Sequence, residues 1–224
     1  MKTKALFLFA GLGGYAYPFY QSGEYDITFV ENNENIITHL QKQYPGAKVI
    51  CGDAIEFLEE NHKDFGLIYA SPPCVANSRL NALVNREILP SLLLYEIKIF
   101  LDYYGNADYV IENTIPYYYN IIKDYFNFPY SKVGRHFVLS NFEIKTNLKL
   151  GSNKSVLVYH KGRKQSRSTK TLCEYAKLRP ELSEIDFSKI KHRRREQLYN
   201  NTMELDVSTY IFEQYEKGNC SENV

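Results

Sequence analysis
"KALFLFAGLGG", residues 4–14, decides the fold. An unbroken apolar run follows Lys4 and stops at a cluster of glycines. The run is far too short to span a membrane and lacks the alternation of a half-exposed strand, so it reads as a strand buried on both faces. Gly11, Gly13 and Gly14 permit positive φ and leave bare backbone at the strand's carboxyl end. Open α/β sheets bind their ligands at such ends.

Working outward, "DITFV" (26–30) reads as a second strand and "NENIITHLQKQY" (33–44) as a helix by its apolar spacing. The alternation continues through "AKVI" (47–50), "AIEFLEENH" (54–62), "FGLIYA" (65–70), "SLLLYEIKIFLDYY" (91–104) and "ADYVIE" (107–112). Strands separated by helices of this length pair in parallel through right-handed crossovers. The expected fold class is therefore α/β, a Rossmann-like, doubly wound and mostly parallel sheet. Beyond residue 132, "RHFVLSNF" (135–142) and "SVLVYH" (155–160) are expected to finish it as antiparallel strands. "HKGRKQSRSTK" (160–170) is a polar basic loop, and "KHRRREQLYNNTMELDVSTYIFEQYEK" (191–217) is expected to hold one helix.

The glycine turn is G-x-G-G rather than the G-x-G-x-x-G of a dinucleotide site. Glu31 closes the second strand about twenty residues on, where a carboxylate can take two ribose hydroxyls. Asp53 ends the third strand and can accept from the exocyclic amine of adenine. Either carboxylate could instead be a plain helix N-cap. No lysine or P-loop for phosphates accompanies them, so an adenosine without phosphates, such as S-adenosyl-L-methionine, fits better than NAD or ATP.

The chain has 224 residues and a net charge of +1, enough for one sizeable core with a small appendage. No segment has the pattern of a leader or a membrane span, and a soluble, cytoplasmic protein is expected. The four cysteines are scattered without a C-x-x-C pair, which fits a reducing compartment and no structural metal. Charge is unevenly placed: residues 1–131 hold 9 Lys+Arg against 15 Asp+Glu, residues 132–195 hold 17 against 5, and residues 196–224 hold 1 against 6. A basic block between acidic ones is the footprint of a polyanion-binding surface, nucleic acid first, unless it is merely a solvated face.

"YASPPCVANS" (69–78) places Cys74 behind two prolines at the carboxyl end of the "FGLIYA" strand. Pro72 and Pro73 fix φ, remove two backbone donors and hold the thiol rigidly where chemistry is expected. The alternative is a small buried hydrophobe.

Together these pieces resemble the DNA (cytosine-5) methyltransferase family, in the form of its short phage-type or bacterial members. "LFAGLGG" (8–14) is similar to the family's first cofactor motif, "SPPC" (71–74) to its catalytic Pro-Cys motif and "IENT" (111–114) to its Glu-Asn-Val motif. "VGRHFVLSNF" (133–142) is similar to the motif in which arginine precedes a strand, and "RREQLYNNT" (194–202) more loosely to the C-terminal motif that returns to the cofactor pocket. The departures are Phe7 where the family usually has an acidic residue, Val75 in place of glutamine, and Arg135 followed by His136 and Phe137 rather than by a second arginine.

The resemblance implies a class I S-adenosyl-L-methionine-dependent methyltransferase, with S-adenosyl-L-homocysteine as product. It implies a catalytic domain at 1–142, a short basic target-recognition segment at 143–191, and a C-terminal helix, 192–224, returning to the catalytic domain. Cofactor contacts fall on Phe9, Ala10, Gly11, Leu12, Gly13 and Gly14, on Glu31 and Asn32, on Asp53 and Ala54, and on Pro73 and Asn200. Cys74 is the expected nucleophile toward cytosine C6, Glu112 the proton donor to N3, Asn113 the residue fixing the loop, and Arg135 a holder of O2 or of the carboxylate.

A duplex hides C6 and N3, so the target base must leave the stack. "VANSRLNALVNREILP" (75–90) is the candidate lid, with Ser78, Arg79 and Arg86 meeting phosphates. Lys161, Arg163, Lys164 and Arg167, together with Arg193, Arg194 and Arg195, are expected to supply affinity for the DNA backbone rather than base reading. Double-stranded DNA is the expected partner, with a restriction enzyme or a specificity partner as further candidates. Two alternatives stay open: the same chemistry on tRNA, and a non-catalytic DNA-binding subunit that retains the fold.

Overall fold
A computed structural model describes residues 1–73, 93–114, 128–151, 158–160, 163–165, 177–190, 198–199 and 202–221. The opening apolar run forms β1 (Thr3–Leu8), whose last four residues are fully buried because it pairs on both edges and is covered on both faces. Ala5 and Phe7 point into one half of the core, Leu6 and Leu8 into the other. That two-sided burial is why the run does not alternate.

The elements then follow in the expected rhythm. They are α1 (Tyr17–Ser22), β2 (Tyr25–Glu31), α2 (Glu34–Gln43), β3 (Lys48–Cys51), α3 (Ala54–Asn61), β4 (Leu67–Ala70), α4 (Leu93–Tyr104) and β5 (Asp108–Thr114). β6 (Ser131–Val133) and β7 (His136–Ser140) complete a seven-stranded sheet ordered β3-β2-β1-β4-β5-β7-β6. The first five strands are parallel, while β7 runs antiparallel to β5 and β6 antiparallel to β7. The doubly wound, mostly parallel sheet is therefore present. Strand order reverses between β1 and β4, so a crevice opens where the glycine turn and the Pro-Pro segment leave the sheet.

Two short elements escape a reading by sequence pattern. α1 has only six residues, with Pro18 in its first turn and Gly23 closing it at φ +74°. β6 has three, too few to show a period.

On one face of the sheet, α1, α2 and a C-terminal helix, α5 (Leu205–Ser221), cover Phe7, Phe29 and Tyr69. Val207, Ile211 and Tyr215 recur at four-residue spacing along α5 and point into this layer. Phe7 is its centre, with ring centroids of Tyr15, Phe19, Phe29 and Tyr69 at 5.6, 5.6, 5.7 and 5.9 Å. The opposite face packs α3 and α4 through Leu58, Leu94, Tyr95 and Leu101.

Two expectations need correction. The described end of "SVLVYH" does not join the main sheet: as β8 (Val158–His160) it pairs with β9 (Arg163–Gln165) in a separate hairpin, while β6 lies at the main sheet's edge beyond β7; residues 155–157 lie outside the described residues. The final helix is also interrupted: Leu198 and Tyr199 are helical, with Thr202 N–H donating to the Leu198 carbonyl at 3.1 Å, residues 202–204 are not, and α5 runs from Leu205. Arg179 sits at the interruption, its guanidinium donating to the carbonyls of Tyr199, Thr202 and Met203.

Candidate active site
A cavity of about 400 Å³ lies at the carboxyl ends of β1, β2, β4 and β5. Phe9 through Gly14 line one wall, Glu31, Asn32, Asp53 and Ala54 the next, and Ser71, Pro72 and Pro73 the floor. Glu112, Asn113, Arg135 and His136 close the far end. Of the residues expected at the cofactor, all but Asn200 line this cavity; Asn200 lies outside the described residues.

The glycine turn is built by backbone conformation and close packing together. Phe9 and Gly11 adopt φ of 57° and 53°, and Gly11 N–H donates to Glu31 Oε2 at 2.8 Å. Glu31 Oε1 accepts from Asn33 N–H at 2.9 Å, so this carboxylate ties the end of β1 to the end of β2. A side chain at Gly13 would collide with Tyr44, whose hydroxyl donates to the Gly13 carbonyl at 2.7 Å. One at Gly14 would run into Thr202 and the Met203 carbonyl. Two of the three glycines are thus required by protein packing, whereas at Gly11 an added Cβ would meet only the Phe9 carbonyl, at 4.0 Å, and the positive φ favours glycine.

Asp53 caps α3, its Oδ1 accepting from Ile55 N–H at 2.8 Å and Glu56 N–H at 3.1 Å. The N-cap reading holds for one oxygen, and the residue still lines the cavity. At this end of the cavity the charged side chains are Glu31 and Asp53, with no lysine or arginine among the described residues that line it around them. A nucleoside that carries no phosphate, and a sulfonium cation, suit that wall.

At the far end, Glu112 is 7% exposed and held from two sides. Ser71 Oγ–H donates to Glu112 Oε2 at 2.8 Å, and His136 Nδ1 meets Glu112 Oε1 at 2.6 Å. The register explains the second contact: Glu112 pairs with Val138 in the antiparallel ladder, so His136, two residues earlier on β7, is its diagonal neighbour on the same face. Asn113 Nδ2 donates to the Pro72 carbonyl at 2.9 Å and so ties the end of β5 to the Pro72–Pro73 segment.

Sequence reasoning missed two residues here. The other nitrogen of the imidazole, His136 Nε2, meets Glu204 Oε2 at 2.9 Å, and Arg135 Nη2 meets Glu204 Oε1 at 3.0 Å. Arg135, expected on O2 or on the Glu112 carboxylate, lines the cavity and reaches Glu204, while the imidazole beside it meets Glu112. Burial pulls the His136 pKa down, but Glu112 and Glu204 outweigh it and raise it to about 9. Burial pushes Glu204 up, whereas His136 and Arg135 bring it below the ordinary carboxylate value. The only advance sign was the histidine following Arg135; nothing in the sequence marked Glu204.

Cys74, Ser78, Arg79, Arg86, Lys161, Arg167, Arg193, Arg194 and Arg195 lie outside the described residues. Arg163 and Lys164 sit on β9. Among the described residues, no group of three or more His, Cys, Asp or Glu could hold a metal ion, and no helix is long and apolar enough to cross a membrane.

Residues 3–88 match the model of a protein family described as C-5 cytosine-specific DNA methylase. This stretch contains both the glycine turn and the Ser-Pro-Pro-Cys motif on which the resemblance rests. No curated protein matches the chain. Among solved structures, a candidate DNA modification methyltransferase encoded in an E. coli prophage is 19% identical, over 56% of this chain and 37% of its own, with a TM-score of 0.38. A SAM-dependent methyltransferase from Agrobacterium tumefaciens is 18% identical, over 55% and 42% of the two chains, with a TM-score of 0.35. The fibrillarin/Nop5p complex matches at 12% identity, over 62% and 71%, with a TM-score of 0.44. The chain thus spans less than half the length of the first two.

Proposed function
We propose that this chain transfers a methyl group from S-adenosyl-L-methionine to C5 of cytosine in DNA. The observation that carries the reading is the continuity of one cavity, from the glycine turn and Glu31 to Glu112 and the Pro72–Pro73 segment that leads into Cys74. The family match over residues 3–88 supports the same chemistry. When bound, S-adenosyl-L-methionine supplies an electrophilic methyl group to C5 and departs as S-adenosyl-L-homocysteine. Gly11, Glu31 and Asp53 are the residues to hold its adenosine.

The chain's own residues make C5 reactive. The thiolate of Cys74 adds to C6, forming an S–C6 bond and shifting the ring electrons toward N3. A proton delivered through Glu112 neutralises N3 and leaves an enamine with a nucleophilic C5. After methylation the C5 proton passes to water, the electron pair of the C5–H bond forms the C5–C6 double bond and expels the Cys74 thiolate from C6, and aromaticity returns. The base reaches these groups only when flipped from the duplex.

The test is incubation of the chain with labelled S-adenosyl-L-methionine and duplex DNA containing 5-fluorocytosine, followed by a denaturing gel. Fluorine cannot leave C5 as a proton would, so a labelled covalent adduct should accumulate with the wild type and be absent with Cys74→Ala. A wild type that labels tRNA and no DNA, or labels neither, overturns the proposal.

A further inference from the structure
The imidazole of His136 lies between two carboxylates, Glu112 on β5 and Glu204 just ahead of α5, with each ring nitrogen within 2.9 Å of an oxygen. Ionised carboxylates can only accept, so both nitrogens must donate, or one carboxyl must carry the proton instead. In either form the bridge holds one proton more than two carboxylates and a neutral ring would. Among the described residues, the remaining polar groups around it do not duplicate that proton. Ser71 Oγ–H already donates to Glu112, Arg135 is paired with Glu204, and burial pushes the phenols of Tyr15 and Tyr69, which feel the Glu112 charge, well above their usual pKa.

We propose that His136 is a positioning residue that stores, in the bridge to Glu112, the proton delivered to N3 of the target base, and that Glu204 holds the far side of its ring so that this proton is retained. The inference rests on the role proposed for Glu112 and adds where its proton comes from. A carboxylate accepting from Ser71 and from His136 has no proton of its own to give. With the base in place, the Nδ1–H bond of His136 breaks, the proton passes through the Glu112 carboxyl and an N3–H bond forms. His136 becomes neutral while Nε2–H still donates to Glu204. The positive charge lost from the imidazole cancels the negative charge that thiolate addition places on the pyrimidine. When Cys74 leaves, the N3 proton returns by the same route. The imidazole therefore keeps its proton up to about pH 9, well above the range in which an isolated carboxyl holds one.

The experiment has two arms on the full chain. Nitrogen-15 NMR of the His136 ring, without DNA or cofactor, should show both nitrogens protonated at about pH 7.5 and a titration near pH 9, moved down by about one unit in Glu204→Gln. Single-turnover methyl transfer to cytosine in DNA should show an alkaline limb that follows the ring titration in both proteins. His136→Asn should lower the rate at about pH 8 by about a hundredfold and move the limb toward the carboxylate range. A wild-type ring that titrates at or below pH 6.5, the ordinary histidine value, or a limb that stays fixed while the ring pKa moves, overturns the relay alone. A wild type that transfers no methyl group overturns the proposed function, and the relay falls with it.

Discussion
At the scale of single residues, His136 ties stability to pH in a direction that can be worked out. Its pKa rises from 6.5 to about 9 in the folded chain because Glu112 and Glu204 outweigh burial. A group that binds its proton more tightly when folded contributes stability that is complete below pH 6.5 and is lost as pH rises through about 9. Glu204, whose pKa is lowered, acts oppositely: its contribution is present above pH 4.5 and is lost on acidification. The melting temperature should therefore fall between pH 6.5 and 9 more steeply for the wild type than for His136→Asn, which has no ring to deprotonate. Parallel curves would contradict the assignment. Glu112 could be placed at the cavity from sequence because it stands near the end of an apolar run that reads as a strand. His136 could not, because its meaning depends on the antiparallel register that sets it diagonal to Glu112, and on Glu204, 68 residues further along the chain.

At the scale of elements, the glycine turn is legible as a turn, but sequence shows only part of its cause. Gly11 sits at φ +53°, a backbone that favours glycine, whereas Gly14 is a glycine because the chain around Thr202 and Met203 packs against it. Gly14→Ala should therefore destabilise by about 1–3 kcal/mol through overpacking, lowering the melting temperature by roughly 3–10 °C. Gly218→Ala, on an exposed turn of α5 where an added Cβ meets nothing within 4 Å, should be neutral or slightly stabilising. Equal melting temperatures for the two variants would refute the packing account. The parallel strands were legible because two-sided burial leaves long apolar runs, and α2, α3 and α4 because their apolar positions repeat at helical spacing. The start of α5 was not, since "NNTM" (200–203) is a plausible helical continuation until the Arg179 guanidinium claims the carbonyls of Thr202 and Met203. Nor did local pattern separate the β8–β9 hairpin from the main sheet, because edge occupancy is a property of the whole sheet.

At the scale of the molecule, charge and closure carry separate predictions. If the basic block meets DNA, binding should weaken steeply with salt. Replacing Lys161, Arg163, Lys164 and Arg167 together by alanine should then flatten the logarithmic slope by about 0.9 for each phosphate no longer neutralised. An unchanged slope would remove this block from the interface. Closure depends on Arg179. It joins Glu181, which is completely buried, to the carbonyls of Tyr199, Thr202 and Met203, and its guanidinium stacks 5.2 Å from the Tyr199 ring. Removing the arginine leaves a buried carboxylate with its main partner gone and several carbonyls undonated, at a cost of about 3–5 kcal/mol. The loss should be directional, because Arg179 holds the stretch that carries Thr202 against Gly14 and Glu204 against His136. Hydrogen exchange of Arg179→Gln should accelerate first at Thr202–Val207, while amides of β1, β4 and β5 stay protected. Arg179→Met combined with Glu181→Leu, which removes both charges, should recover much of the stability without restoring protection at Thr202 and Met203. Uniform loss of protection across the sheet would instead make Arg179 a determinant of the global core and remove its specific part in closing the site.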